Sequence, residues 1–449
     1  MRPFLYTAIL VLWFGVLFGF STASIAGVVG DIAAAFALST RATEMVVTAL
    51  LLGCFIGAAL AAPLSARIGR KPSCLIAAGL AIAGYALIPL GQQAAPGPAM
   101  LVAARMLIGL GVGLSSMVVP MYAAEATPAR HRGAVVSLFQ LAITIGILVG
   151  YAVPLALHDR ASWQVMLGGG IVIAAFSALS VLLLPESPRW LKAQGRTAAA
   201  ATAARQLGIL DEMGPQAGEP AGDKPAGDWR AALRAGSTAA VLLLCSVLFI
   251  LQNFSGIDGI LYYAPHIFTE LGFAAGTAAL AATFGLGLVN VLATVLAMAL
   301  VDRLGRRPLL IAGSAAMAAS LATVILAASQ DWPWLALLGL GAYIVAFALS
   351  LGPLPYVLMA ELFPTAIRER GIAVASATSW LFNGIVAGTF LSLVQGIGLP
   401  GTIGIFLGVC LLSLAISLAF VPETRRVGLE QIEADVLAGR PLRRLGAHG

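Results

Sequence analysis

Charge is what this sequence has least of. Its 26 Lys and Arg and 20 Asp and Glu make up 10% of 449 residues, where soluble globular proteins carry about a quarter. With 60% of the residues hydrophobic, that shortage excludes a water-soluble fold, because too little polar surface exists to face water. Cysteine is scarce too. Cys54, Cys74, Cys245 and Cys410 lie in or beside apolar runs, without the spacing of a disulfide framework or a metal site. The four histidines, His131, His158, His266 and His448, are scattered over loops and ends. No nucleophile, metal cluster or phosphate-binding loop accompanies them, which argues against an enzyme and against any cofactor or metal.

What is abundant is apolar sequence in lengths that suit a bilayer. A membrane helix needs about 20 such residues. The hydropathy pattern predicts spans at residues 8–28, 44–65, 73–91, 99–122, 133–157 and 163–184, then 238–265, 277–301, 308–329, 333–358, 371–393 and 401–421. Arg2 ahead of an apolar run imitates a signal peptide, but the run continues through Ser21 to Gly27 without a clear small-x-small cleavage site, so it is read as the first span. The formal charge of +6 does not point to nucleic acid. With both termini on one side, only Arg41 and Arg160 fall on the opposite loops and only Arg105 falls within a span. The other basic residues collect where the positive-inside rule expects the cytoplasm. The expectation is an all-α integral protein of the cell (inner) membrane, solvated by the lipid bilayer, with both termini cytoplasmic and no nucleic-acid partner.

The two sets of six spans repeat one another. SARIGRKP at 65–72 returns as VDRLGRRP at 301–308, 236 residues on. At the same offset, Glu125 and Arg132 of EATPARHR answer to Glu361 and Arg368 of ELFPTAIR; PES at 185–187 answers to PET at 422–424, 237 residues on. Three landmarks at nearly one spacing predict a duplicated six-helix unit. An even number of spans per unit gives the copies the same orientation, the parallel repeat of transporters whose halves rock about a central site. The predicted division is an N-terminal half over 1–185, a cytoplasmic linker over 186–236, a C-terminal half over 237–421 and a cytoplasmic tail over 422–449. Within the linker, 216–228 reads as a flexible stretch, flanked by short surface helices over 189–207 and 229–235.

The repeated loops have the composition of a charge clamp, in which guanidinium groups bridge carboxylates and helix C-termini of neighbouring spans. Arg67, Arg70, Glu125 and Arg132 form it in the first half, and Asp302, Arg303, Arg306, Glu361 and Arg368 in the second. Glu186, Arg189 and Glu423, in the PES and PET segments, extend it. The alternative is topological, the basic residues only holding these loops in the cytoplasm. Ala66 stands where the second half has Asp302, so the first clamp lacks one carboxylate and Glu186 is the candidate replacement.

GFSTASIAG at 19–27, RMLIGLGVG at 105–113, PMYAAEATPARHRG at 120–133, PESPRWL at 185–191, QNFSGIDGILYYAP at 252–265, DRLGRR at 302–307 and PET at 422–424 together resemble the sugar porter family of the major facilitator superfamily. The resemblance implies twelve transmembrane helices in two parallel six-helix repeats, alternating access, a monosaccharide or related polyol as substrate, and no cofactor. Carried over residue by residue, it implies a substrate site of Gln140, Gln252, Asn253, Asp258, Asn290, Trp380 and Asn383. The chemistry fits independently, since a sugar needs amides that both donate and accept and an aromatic face against its C–H surface. An interhelical hydrogen bond is the alternative use of any one amide. SGIDG at 255–259 and GPLPY at 352–356 interrupt two spans, as expected where a helix unwinds to line a cavity or, alternatively, where a static kink serves packing. Tyr262, Tyr263 and Tyr356 are candidate gating aromatics, with interfacial anchoring open for the first two.

Two departures from the family pattern bear on energetics. Proton-coupled members carry Gly-Tyr-Asp on the first helix, with the Asp near an Arg on the fourth; this chain reads Gly19, Phe20, Ser21 and keeps Arg105. Serine does not titrate in a useful range, so Ser21 removes the expected proton site, and Asp31, about 15 Å further along a helix, is an unpromising replacement. Asp258 stands where the family usually has Asn. It is read as a sugar-hydroxyl acceptor, a relocated proton site or a helix-break residue capped by backbone amides. The resulting expectation is facilitated diffusion of a sugar, with proton symport through Asp258 or export of other small solutes as alternatives. An apolar exporter cavity is opposed by the amides, and a non-transporting sugar sensor by the short tail.

Overall fold

The structure, a computed structural model, describes residues 2–90, 98–210, 233–364, 367–425 and 427–446. All its regular elements are helical, and eleven stretches among the described residues are long and apolar enough to cross a membrane. The span expected over 371–393 corresponds to a helix over Arg368–Ala387, within which Val374–Ala387 is apolar. The chain separates into two compact units, Met1–Lys224 and Pro225–Gly449. The flexible stretch expected at 216–228 and residues 229–232 of the second linker helix lie outside the described residues.

In the first unit the long helices are α1 (Arg2–Ala23), α3 (Thr40–Ile68), α4 (Arg70–Leu90), α5 (Ala99–Ala126) and α6 (Ala129–Leu157). Short α2 (Val29–Ala35) follows α1, and the last span is divided into α7 (Trp163–Gly168) and α8 (Gly170–Leu182). Two amphipathic pieces, α9 (Pro188–Ala193) and α10 (Thr197–Leu207), follow and pack on each other. The main seams are α3 on α5, α1 on α6 and α4 on α5. Hydrocarbon gives no hydrophobic drive for helices to associate, so close backbone approach through small residues must do it. The α3–α5 seam is built that way. A Cβ on Gly109 or Gly113 would overlap the carbonyl oxygen of Leu50 or Cys54, and one on Gly53 or Gly57 would overlap that of Met106 or Leu110. Gly19 and Gly146 do the same between α1 and α6.

The second unit begins with α11 (Thr238–Phe254), α12 (Ile257–Tyr262) and α13 (Ala264–Glu270) in place of one continuous span. Then come α14 (Thr277–Leu304), α15 (Arg306–Ser329), the divided pair α16 (Pro333–Leu349) and α17 (Leu354–Leu362), α18 (Arg368–Ala387), α19 (Phe390–Ala419) and the tail helix α20 (Leu429–Leu437). Here α15 packs on α16 and α19, and α11 packs on α18. Ser314 and Ser413 share a 2.9 Å hydrogen bond across α15 and α19, a polar contact that hydrocarbon cannot replace. The tail folds back onto its own unit, where the Ser237 backbone N–H donates to the Val436 carbonyl (2.8 Å) and Ile432 and Val436 are buried.

Candidate functional site

The repeated loops form the same construction twice, once in each unit. In the first, Arg70 donates from Nε and Nη2 to Glu125 at 3.0 and 2.9 Å, the bidentate geometry in which guanidinium and carboxylate match. In the second, Arg306 Nη2 donates to Glu361 at 2.8 Å. A hydroxyl completes each pair, from Ser187 to Glu125 and from Thr424 to Glu361. Glu186 and Glu423 do something the composition did not foretell. Glu186 accepts from the backbone N–H groups of Arg70 (3.0 Å) and Lys71 (3.1 Å), and Glu423 from those of Arg306 and Arg307, both at 3.2 Å. Each carboxylate thus caps the N-terminus of a helix, α4 or α15, where orphan N–H groups and the helix dipole favour negative charge.

The chain can bring a carboxylate there only because Gly69 and Gly305 precede the caps. Their φ values are +100° and +94°, and a Cβ on either would run into the capping carboxylate. The cations beyond the pairs also act alike, each on a carbonyl at the end of its unit's last span: Lys71 Nζ donates to the Leu184 carbonyl (2.6 Å) and Arg307 Nη2 to that of Leu418 (3.0 Å). Glu186 therefore partners backbone amides of Arg70 and Lys71, not the side chains of Arg67, Arg70 or Lys71. Arg67, Arg189 and Arg303 are exposed and make no ion pair with a described residue. The side chains of Arg132, Asp302 and Arg368 lie outside the described residues. Removing a carboxylate acceptor that holds two backbone donors should cost about 1–3 kcal/mol. Glu186→Ala and Glu423→Ala are each expected to lower the thermal midpoint of the purified protein by a similar amount. A loss at one position only would break the equivalence of the two copies.

The polar residues of the second unit gather where its spans are broken. Gly256, at φ +92°, ends α11 and re-aims α12, and Ser350 to Pro353 separate α16 from α17. The freed backbone groups find partners inside the protein, as a membrane interior requires: the Tyr343 hydroxyl donates to the Ser255 carbonyl at 2.9 Å, and Gln252 Nε2 donates to the Gly352 carbonyl at 2.8 Å. Gln252 therefore ties one break to the other. Asn253 Nδ2 donates to the Phe249 carbonyl (2.7 Å) and to Ser379 on α18 (3.2 Å). Asp258, in the first turn of α12, faces the Asn383 amide and the Tyr262 hydroxyl, and Tyr262 also reaches Asn383 Oδ1 at 3.4 Å. Because Ser379 and Asn383 are one turn apart, they share a face of α18, and Asn253 and Asp258 lean on that same face.

The other expected residues are placed as follows. Asn290 is buried on α14, and Trp380 is half-buried on α18 beside Ser379. Tyr356 on α17 lies beside Ser379 and meets the Phe249 ring edge-on at 4.7 Å. Tyr263 is fully buried, donates to the Ala387 carbonyl at 2.9 Å and stacks on Phe390, which fixes it as an anchor in the unit's core. Gln140 stands exposed on α6 of the first unit. Ser379 was not anticipated, although a serine one turn before Asn383 on a site helix is the kind of position that helical periodicity singles out.

In the first unit Ser21 is buried on α1, its hydroxyl 2.6 Å from the Leu17 carbonyl and 2.7 Å from the hydroxyl of Tyr85 on α4. Ser21 has one proton, and it goes to the carbonyl, so Tyr85 donates to Ser21. The ring of Tyr85 has room there because Gly170 on α8 has no side chain; a Cβ at 170 would overlap the ring. Arg105, 1% exposed on α5, donates from Nε to the Val46 carbonyl (2.7 Å) and from Nη2 to the Val47 carbonyl (3.3 Å) of α3. Asp31 is exposed in the first turn of α2. Tyr85 was also missed, but a lone phenol in a span needs a partner and could have been flagged on that ground.

Two helical units, each closed at one end by a capped ion-pair network, with polar residues at broken spans, define a polytopic membrane carrier. The sugar (and other) transporter family matches residues 7–436. The galactose-proton symporter of Escherichia coli (strain K12) is 37% identical over 447 residues, covering 97% of this chain and 94% of that protein. The arabinose-proton symporter of the same strain is 33% identical over 445 residues, with 96% and 93% covered. A solved structure of the major facilitator superfamily proton:xylose symporter XylE, bound to 6-bromo-6-deoxy-D-glucose, superposes with a TM-score of 0.79 at 32% identity, covering 99% of this chain and 98% of that one. The chain belongs to the sugar (and other) transporter family and is an integral membrane transporter, not an enzyme.

Proposed function

We propose that this protein carries a monosaccharide or related polyol across the cell membrane by alternating access, and that it does so by facilitated diffusion. The substrate reading is carried by the amide, carboxylate and aromatic groups at the breaks of the second unit: Gln252, Asn253, Asp258, Asn383 and Tyr262 around a kinked helix, with Trp380 and Tyr356 alongside. Relatives that are 37% and 33% identical are named for galactose and arabinose, which supports a sugar. Gln140 remains a candidate from its own exposed face of α6. The distribution of Lys and Arg supports an orientation with both termini cytoplasmic.

Facilitated diffusion is favoured by the Ser21–Tyr85 pair. Two hydroxyls bonded to each other fill the first-helix position, and neither exchanges a proton near neutral pH. A second reading, proton symport through Asp258, is favoured by the names of the relatives and by a carboxylate set among helices. Proteoliposomes holding the purified protein separate the two. Uptake of D-galactose or D-xylose is expected to reach the external concentration and to be unchanged by an imposed pH gradient. Accumulation driven by acid outside would establish symport instead, and in that case Asp258→Asn should abolish accumulation while leaving sugar exchange.

A further inference from the structure

The open hydrogen-bonding capacity at the second unit's break is of one kind. Asn253 spends its Nδ2 group on Phe249 and Ser379, so what it has left is the acceptor Oδ1. Gln252 spends Nε2 on the Gly352 carbonyl; since only the nitrogen can face a carbonyl, the amide orientation follows. Its Oε1 is buried with no partner among the described residues, on a side chain only 8% exposed. A buried acceptor left open is uncommon and asks for a donor. Asp258 is an acceptor throughout when ionised, with about four lone-pair positions on its two oxygens, and its described partners, Asn383 and Tyr262, are both neutral.

The helices around it supply no cation. Over 238–301, 308–360 and 371–421 the sequence has no Lys or Arg. A carboxylate among membrane helices is expensive unless something neutralises it, and a bound ligand can do so. A hydroxyl donates one hydrogen bond and brings no charge. An ammonium group donates three, accepts none, and brings the missing positive charge, so it matches the acceptor-only remainder of Gln252, Asn253 and Asp258 better than a neutral sugar does.

We propose that the preferred substrate of this carrier is an amino sugar, a monosaccharide whose ring bears an ammonium group that docks on Asp258 while its remaining hydroxyls donate to Gln252 and Asn253. This rests on the carrier reading above and narrows its substrate class. It is tested with the full-length protein in proteoliposomes, by competition against labelled D-galactose uptake using two matched pairs: D-galactosamine with D-galactose, and D-glucosamine with D-glucose. Each amino sugar is expected to compete at a concentration roughly ten-fold below its neutral partner, the gain of a charge-assisted hydrogen bond over a neutral one. An inside-negative potential should accelerate uptake of labelled D-galactosamine, which brings in a charge, and leave that of D-galactose unaffected.

In Asp258→Asn the ratio within each pair should fall to about one, whereas Asp258→Glu, which keeps the charge, should retain a preference. The potential dependence is read on the unmodified protein and so does not depend on either variant folding. Equal competition within both pairs in the unmodified protein, or a ratio that survives in Asp258→Asn, would overturn the proposal while leaving the sugar carrier standing. If neither member of any pair is transported, the carrier reading falls and the proposal with it.

Discussion

A Gly113→Val protein is expected not to accumulate as a folded carrier in the membrane. A Cβ at this position overlaps the backbone carbonyl of Cys54 on α3, and backbone cannot swing aside as a flexible side chain can. The two helices would have to separate along the whole seam, because Gly53, Gly57 and Gly109 hold the neighbouring turns at the same close distance. Separation would also pull the carbonyls of Val46 and Val47 away from the buried guanidinium of Arg105, costing that charge two of its hydrogen bonds. Overpacking alone costs about 1–3 kcal/mol, and loss of buried polar contacts adds to it, so the total should exceed about 4 kcal/mol, the exceptional end of single substitutions. Gly79→Val is the control: nothing lies within 4 Å of a Cβ there, and its yield and thermal midpoint should match the parent. Equal behaviour of the two variants in fluorescence-detected size exclusion would show that the α3–α5 seam is not what holds the first unit together.

The second large effect is expected at Gln252. Its amide nitrogen links the break after α11 to the break before α17 through the Gly352 carbonyl, and its oxygen is the buried acceptor that a substrate hydroxyl or ammonium would fill. Gln252→Ala removes both functions. Loss of a substrate hydrogen bond of about 1–3 kcal/mol corresponds to an affinity about 5- to 140-fold weaker, measured as a raised half-saturation constant for sugar uptake. The thermal midpoint should fall as well, because the Gly352 carbonyl loses its donor, a cost of about 1–3 kcal/mol. An unchanged half-saturation constant would remove Gln252 from the substrate site and leave it a helix–helix tie.

Much of this architecture was legible because a bilayer makes hydropathy a direct readout of location. The span after 238 was expected to break at SGIDG, and the helix does break at Gly256, where two glycines and a charge remove both propensity and side-chain packing. The clamp shows the limit. The acid and base residues could be picked out by their repeat, but the matching could not: Glu186 looked like a partner for arginine side chains and instead caps the helix that begins at Arg70. Which atoms a carboxylate meets depends on a glycine at positive φ and on a helix end more than 100 residues away, and neither appears in the local pattern. Ser379 and Tyr85 were missed for a related reason. One hydroxyl in an apolar run has many possible neighbours, and only the packing of α18 against α11, or of α4 against α1, selects one.

The sequence alone determined that this is a helical membrane protein whose loop motifs recur from one half to the other, because the cost of charge in hydrocarbon leaves few other arrangements. It also identified Asp258 and Ser21 as the positions where this chain departs from the family it resembles. Tertiary structure decided what those departures mean. It paired Ser21 with a phenol that Gly170 makes room for, and it set Asp258 beside neutral groups while the amide nitrogens of Gln252 and Asn253 were spent on neighbouring segments, leaving their oxygens as the acceptors. Hydrogen bonds are directional and each amide proton can be used once, so which side of each amide remains open was settled only when the helices packed.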